Sequence, residues 1–175
     1  MTLLPIHLLG SPVLRERARE IPEVTDQVRH FVDDLFHTMR TDGGVGLAAN
    51  QVGVAERVAV VDTGNDPLIL INPVILERSG SQVEEEGCLS IPEVFADVER
   101  AQCVLIETTT LDGARTRVEA EGFKARAIQH EIDHLDGILF FDRLSPLKRR
   151  ILTRKWQKMR AGSVGYTREV VPKSG

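Results

Sequence analysis

Apolar residues recur at helical spacing in the first third of the chain, where Val28, Phe31, Val32, Leu35, Phe36 and Met39 share one side of a 3.6-residue repeat. Thr25 stands where an N-cap belongs, Asp26 follows in the first turn, and Gly43-Gly44 supplies a stop. This predicts an amphipathic helix of about four turns. The period then changes to short β-branched runs at 58–61, 68–71 and 103–110. The last continues through a turn at Leu111-Asp112-Gly113 into a strand from Arg115 to about Ala120. Pro67, Pro73 and Pro92 punctuate this region. Helical spacing returns over 123–135, with Gly137 at a C′ position. It returns again over about 145–160, where Leu147, Ile151, Leu152, Trp156 and Met159 fall on one side. Helix, many strands, helix, helix is an α+β order. The expected architecture is a single domain over 1–160, its β-sheets packed around the central helix at 123–135, with N-terminal and C-terminal helices. A tail at 161–175 is expected to be disordered or to pack on a partner.

Composition narrows the class. The 175 residues are 42% hydrophobic and 27% charged, a globular balance rather than a disordered one. No run approaches the ~20 apolar residues of a membrane span. The opening ten residues lack a basic region and a small-residue cleavage site, so no secretory signal is expected. Cys88 and Cys103 are then expected as reduced thiols in a cytoplasm, both free to act as ligands. Net charge is −4, unevenly spread: residues 146–175 carry nine Lys or Arg and one acid, while the remaining 13 basic and 25 acidic residues leave −12.

The densest chemistry lies in His130-Glu131-Ile132-Asp133-His134. Positions four apart on a helix differ by roughly 40° around the axis, so both imidazoles face the same way and can close on one metal ion. Glu131 lies beside them, able to handle protons on a metal-bound water. Ala125, Ala127, Ile128, Ile132 and Leu135 make this helix apolar on more than one face, which suggests a core position. Buried imidazoles and a buried acid are costly unless paired or metal-bound. A third ligand is required. Downstream there is Asp142 but no further His, and no Glu before Glu169. Upstream, Glu86-Gly87-Cys88-Leu89-Ser90-Ile91-Pro92 reads as a tight loop presenting Cys88. Cys88 is either that ligand, leaving a fourth tetrahedral position for water, or a small buried hydrophobe. Cys103, at the start of an apolar run, fits the second description better.

Three segments together carry a resemblance. Gly44-Val45-Gly46-Leu47-Ala48-Ala49-Asn50-Gln51, Glu86-Gly87-Cys88-Leu89-Ser90 and Gln129-His130-Glu131-Ile132-Asp133-His134-Leu135 resemble the three motifs of peptide deformylases, in that family's order and spacing. The likeness extends over roughly residues 2 to 160. It implies removal of the formyl group from the N-terminal formyl-methionine of nascent polypeptides, with release of formate. By the same resemblance Cys88, His130 and His134 hold the metal, and Glu131 takes a proton from the attacking water and delivers it to the leaving amine. The Gln51 side-chain amide and the Leu89 backbone N–H match the family's oxyanion donors. Gly44, Val45 and Gly46 correspond to its peptide-docking segment, where glycine lets a substrate backbone come close; a plain turn would also explain them. A methionine pocket is expected near Val45, Ile128 and His130, while Leu47, Ala48 and Ala49 read as packing. Asp133 is expected either to brace the metal site, with Arg100 as a candidate partner, or to face solvent. Gly43, Asn50 and Phe95 depart from residues common in the family and touch only the peptide-side contacts.

The resemblance implies Fe²⁺ as the metal in the cell, in a site whose thiolate and imidazoles also suit Zn²⁺, Ni²⁺ and Co²⁺. The cationic helix at 145–160 carries Lys148, Arg149, Arg150, Arg154, Lys155, Lys158 and Arg160, which fits either a solvated face or docking on ribosomal RNA. Two other functions compete: a zinc metallopeptidase or other amidase, and a non-enzymatic ribosome-binding module with a structural metal. The first lacks its downstream ligand, and the second lacks a fourth protein ligand.

Overall fold

The computed structural model describes residues 1–173. In chain order the elements are β1 (Ile6–His7), α1 (Asp26–Thr41), β2 (Gly46–Ala48), β3 (Val58–Val61), β4 (Leu68–Ile71), β5 (Val74–Ser79), β6 (Gln82–Cys88), β7 (Ile91–Arg100), β8 (Cys103–Thr109), β9 (Arg115–Glu121), α2 (Gly122–Leu135), α3 (Pro146–Met159) and β10 (Thr167–Arg168). Among the described residues the strands form four antiparallel sheets: β1–β10, β2–β3–β4, β5–β8–β9 and β6–β7. This is the expected α+β arrangement around a central helix.

The core explains why β3 is uninterrupted Val-Ala-Val-Val. Strand side chains alternate between faces, and both faces of β3 are covered. Ala59 and Val61 join Leu70, Val104 and Ile106 against Ala125, Ile128, Ile132 and Leu135 of α2. Val58 and Val60 point the other way, with Leu47 and Ile71, against Val28, Val32, Leu35, Phe36 and Met39 of α1. Burying each of the Val, Leu, Ile, Phe and Met side chains among these stabilises the fold by about 1.5–3 kcal/mol. The Thr25 hydroxyl accepts from the Val28 N–H at 3.3 Å, so the expected N-cap is in place. At its far end α2 is tied down by Arg57, whose guanidinium donates to Leu135 O at 3.0 Å and pairs with Asp136 at 3.0 Å. A cation there complements the helix dipole.

Three expectations change. Cys88 does not sit in a free loop. It ends β6, and Pro92 lies inside β7; the two strands form a hairpin turning at Leu89-Ser90. The apolar side read on the last helix is mostly exposed in α3, with Leu147 at 64% and Ile151 at 57%. Only Trp156 is buried, its indole N–H donating to Leu9 O at 3.1 Å. The chain after α3 turns back rather than trailing away: Thr167–Arg168 pairs with β1, and Val170 is buried.

Candidate active site

Helix α2 and the β6–β7 hairpin meet at the floor of an open cleft of about 890 Å³. There Cys88 Sγ lies 3.3 Å from His134 Nε2, and His134 Nε2 lies 3.2 Å from His130 Nε2. All three donor atoms are within 4.8 Å of one another. Ligands of one tetrahedral ion with bonds near 2.0–2.3 Å stand roughly 3.4 Å apart, so the spacing fits a single divalent cation. The arrangement suits one: the Cys88 sulfur and the Nε2 atoms of both rings can each offer an electron pair to a single positive charge placed between them.

The environment holds the two rings in different states. His130 Nδ1 donates to Glu86 Oε1 at 2.8 Å, which turns its Nε2 toward the cluster. Burial opposes a charge on this ring, yet hydrogen bonds to Cys88 and Glu86 raise its pKa well above the ordinary value. Burial and the neighbouring His130 charge hold His134 well below its ordinary value, as a neutral ring with an electron pair to give. Burial alone would raise Glu86, but hydrogen bonds from Arg100 and His130 outweigh it and keep the carboxyl far below the usual range.

Glu86 belongs to a buried charge network. Arg100 binds it through two nitrogens at 2.9 Å, and Arg126 donates to the same carboxylate. Arg100 also reaches Asp133 at 2.6 Å, and Arg143 donates to both Asp133 oxygens at 3.1 and 2.6 Å. Asp133 is therefore buried in the brace, with the anticipated Arg100 as partner. Breaking such a buried pair by removing one member costs about 3–5 kcal/mol.

Glu131, by contrast, is a buried acid with no arginine or lysine against it among the described residues. Its Oε1 lies 4.0 Å from His130 Nε2, and its buried Oε2 has no hydrogen-bond partner among the described residues. Burial lifts this carboxyl to about 7, against the pull of the His130 ring. A group with that affinity takes and returns a proton near neutral pH. Gln51 stands opposite, on a 3₁₀ turn after β2. Its Oε1 accepts from the Ala48 N–H at 3.0 Å, which turns the amide NH₂ toward Cys88 Sγ at 3.5 Å and Ser90 Oγ at 3.1 Å. A fixed N–H donor thus faces the metal-ligating cluster.

The cleft brings together Gln51, Cys88, Leu89, His130 and Glu131 with the Gly44-Val45-Gly46 segment. His134 closes the cluster from beneath. Residues 3–150 match the family model described as polypeptide deformylase. The chain belongs to that family. The peptide deformylase of Alkalilimnicola ehrlichii is 47% identical over 163 residues, spanning 91% of this chain and 92% of the relative. Among solved structures, the Thermotoga maritima peptide deformylase superposes with a TM-score of 0.81 at 41% identity, covering 83% of this chain and all of that one. The Synechococcus elongatus peptide deformylase, solved in complex with actinonin, gives 0.82 at 40% identity, with 87% and 85% covered.

Within that family frame, two sequence expectations receive a different physical reason. Gly46 is needed by the protein's own acid: a β-carbon there would lie 2.8 Å from Glu131 Cδ. Gly44 makes room in the same way for Leu89, whose Cδ1 would be 2.8 Å away. Ile128 is fully buried in the α2–β3 core rather than in the cleft wall, where Ala127 and Phe123 stand instead. Leu47, Ala48 and Ala49 are fully buried packing.

Glu86, Arg126 and Ser90 had no role assigned from sequence. Reading 82–88 as a strand would have put Glu86 and Cys88 on one face by the two-residue period, and hence both toward α2. Arg126 lies one helical turn before His130 on α2 and carried a similar signal.

Proposed function

We propose that this chain is a metal-dependent hydrolase that removes the formyl group from the N-terminal formyl-methionine of polypeptides and releases formate. The observation that carries the reading is the convergence of Cys88, His130 and His134 beside an unpartnered Glu131 and an aimed Gln51 amide. Cys88, His130 and His134 would hold a divalent ion, which would supply the Lewis acid that makes water a nucleophile at neutral pH. Glu131 accepts the water's proton and returns it to the departing amine nitrogen. The Gln51 NH₂ and the Leu89 N–H donate to the oxygen of the formyl carbon as it gains charge. Glu86 and the arginines around it keep His130 turned toward the ion. The Gly44-Val45-Gly46 segment leads into β2, an edge strand, and an extended peptide can lie along it by strand addition.

Fe²⁺ is the ion we assign in the cell, as the family resemblance implies; the donor set also accepts Zn²⁺, Ni²⁺ and Co²⁺. We assign 1–160 as the catalytic domain and 161–175 as an appendage to it. Among the described residues no helix is long and apolar enough to cross a membrane; work on nascent chains belongs in the cytoplasm. For α3 we favour docking on ribosomal RNA. Lys148, Arg149, Arg150, Arg154, Lys155 and Lys158 are all exposed, and Leu147 and Ile151 are exposed among them.

The test supplies Ni²⁺-loaded protein with a short formyl-methionyl peptide and with the same peptide lacking the formyl group. Formate from the first and no cleavage of the second is expected. Cleavage of an internal peptide bond would favour the metallopeptidase reading instead.

A further inference from the structure

Residues 161–173 run against the body rather than away from it. Arg160 lies over the Tyr166 ring at 5.2 Å, and Tyr166 fills the space beside Gly10, where any β-carbon would collide with it. The Leu8 N–H donates to Tyr166 O at 2.7 Å, and β10 then pairs with β1. This path delivers Arg168 to the cleft. Its guanidinium donates to both Asp42 oxygens at 3.0 and 2.5 Å, and its Nη2 also donates to Leu89 O at 2.8 Å. Asp42 is the C-cap of α1, and Leu89 forms the β6–β7 turn. One planar group therefore ties the end of α1 to the turn beside Cys88.

We infer that Arg168 is a positioning residue for the reaction: it fixes residue 89 so that its N–H stays aimed at the reacting oxygen. The inference rests on the role proposed above for Leu89. Three other contacts hold the same turn: the Leu9 N–H donates to Ser90 O at 2.9 Å, the Gln51 amide bonds Ser90 Oγ, and the Leu89 side chain lies against Gly44. None of these holds the carbonyl of Leu89. Arginine suits the task because a planar fork serves the carboxylate and the carbonyl together, whereas lysine is a point charge. The C-terminal segment, which lies beyond the family-model match at 3–150, thereby becomes part of the active site.

The test compares wild type, Arg168→Ala and Arg168→Lys by steady-state formate release and by hydrogen exchange of peptides spanning residues 86–92. A misaimed donor lowers kcat by up to about 100-fold while substrate affinity holds. Expected for Arg168→Ala is a fall in kcat of tens-fold with KM within about threefold, and faster exchange at 86–92 with α2 unchanged. Arg168→Lys should fall between. Unchanged kcat in a folded Arg168→Ala protein would overturn the inference, as would a parallel loss of protection throughout the molecule. If Arg168→Ala does not fold, Arg168→Lys carries the test, and wild-type kcat in it counts against the role. Should wild type itself release no formate, the proposed reaction fails, and the exchange comparison alone decides the Arg168–Leu89 link.

Discussion

Gly46 and Glu131 are in contact: the hydrogen of the glycine occupies the only space into which a β-carbon could grow, 2.8 Å from the Glu131 carboxyl carbon. An edge strand and the middle of a helix are thus fitted to each other at a buried acid that no lysine or arginine contacts among the described residues. Gly46→Ala should push the carboxyl out of line. An ångström of misplacement costs about 100-fold in rate, so kcat should fall by that order while metal affinity stays near wild type. Kinetics beside metal titration check this.

Glu86 serves His130, Arg100 and Arg126 at once, all within a buried pocket. Glu86→Gln leaves two buried guanidiniums short of a negative charge. The expected loss is about 3–5 kcal/mol in denaturant unfolding. Metal affinity should fall by about 10- to 100-fold, since the partner that orients His130 is weakened. Competition with a chromogenic chelator measures the second effect separately.

How much of this was legible in the chain depends on the range of each interaction. Helix α1 could be read to within a residue or two because Thr25 caps it locally and Val28 to Met39 keep strict spacing. Strands β3 and β4 could be read because both faces of β3 are buried, which makes its apolar run continuous. The β6–β7 hairpin was hidden. Glu84-Glu85-Glu86 breaks the apolar alternation, and Pro92 reads as a terminator. A two-stranded sheet has only free outer edges, where a missing N–H is tolerated. The metal ligands could be found because His130 and His134 are four apart. The charges that brace them could not: Glu86 meets Arg100, Arg126 and His130 at separations of 14, 40 and 44 residues. On α3, periodicity alone could not tell a buried stripe from an exposed one: Trp156 is buried and Leu152 half-buried against the same cluster, while Leu147 and Ile151 stay exposed.

That exposed helix makes a prediction of its own. Replacing Lys148, Arg150, Arg154 and Lys155 together by Glu should abolish co-sedimentation with ribosomes and leave hydrolysis of a free peptide at the wild-type rate. Each RNA phosphate no longer neutralised by a side chain reduces the slope of log affinity against log salt by about 0.7–0.9. Co-sedimentation equal to wild type would assign these charges to solvent.

Metal binding should be visible in stability as well as in rate. An ion present at about 100 times its dissociation constant adds ~2.7 kcal/mol to the folded state. For a domain of this size, chelation should therefore lower the melting temperature by roughly 5–10 °C. Cys88→Ser should remove most of that difference, because the softest of the three donors is gone.

The most direct test of the proposed chemistry is formate release from a formyl-methionyl peptide by wild type and by Glu131→Ala, with metal content measured on the same samples. One ion per chain is expected in both proteins, with a rate at least about 100-fold lower without the carboxyl. Equal rates at equal metal content would contradict the role given to Glu131 and the proton transfer built on it.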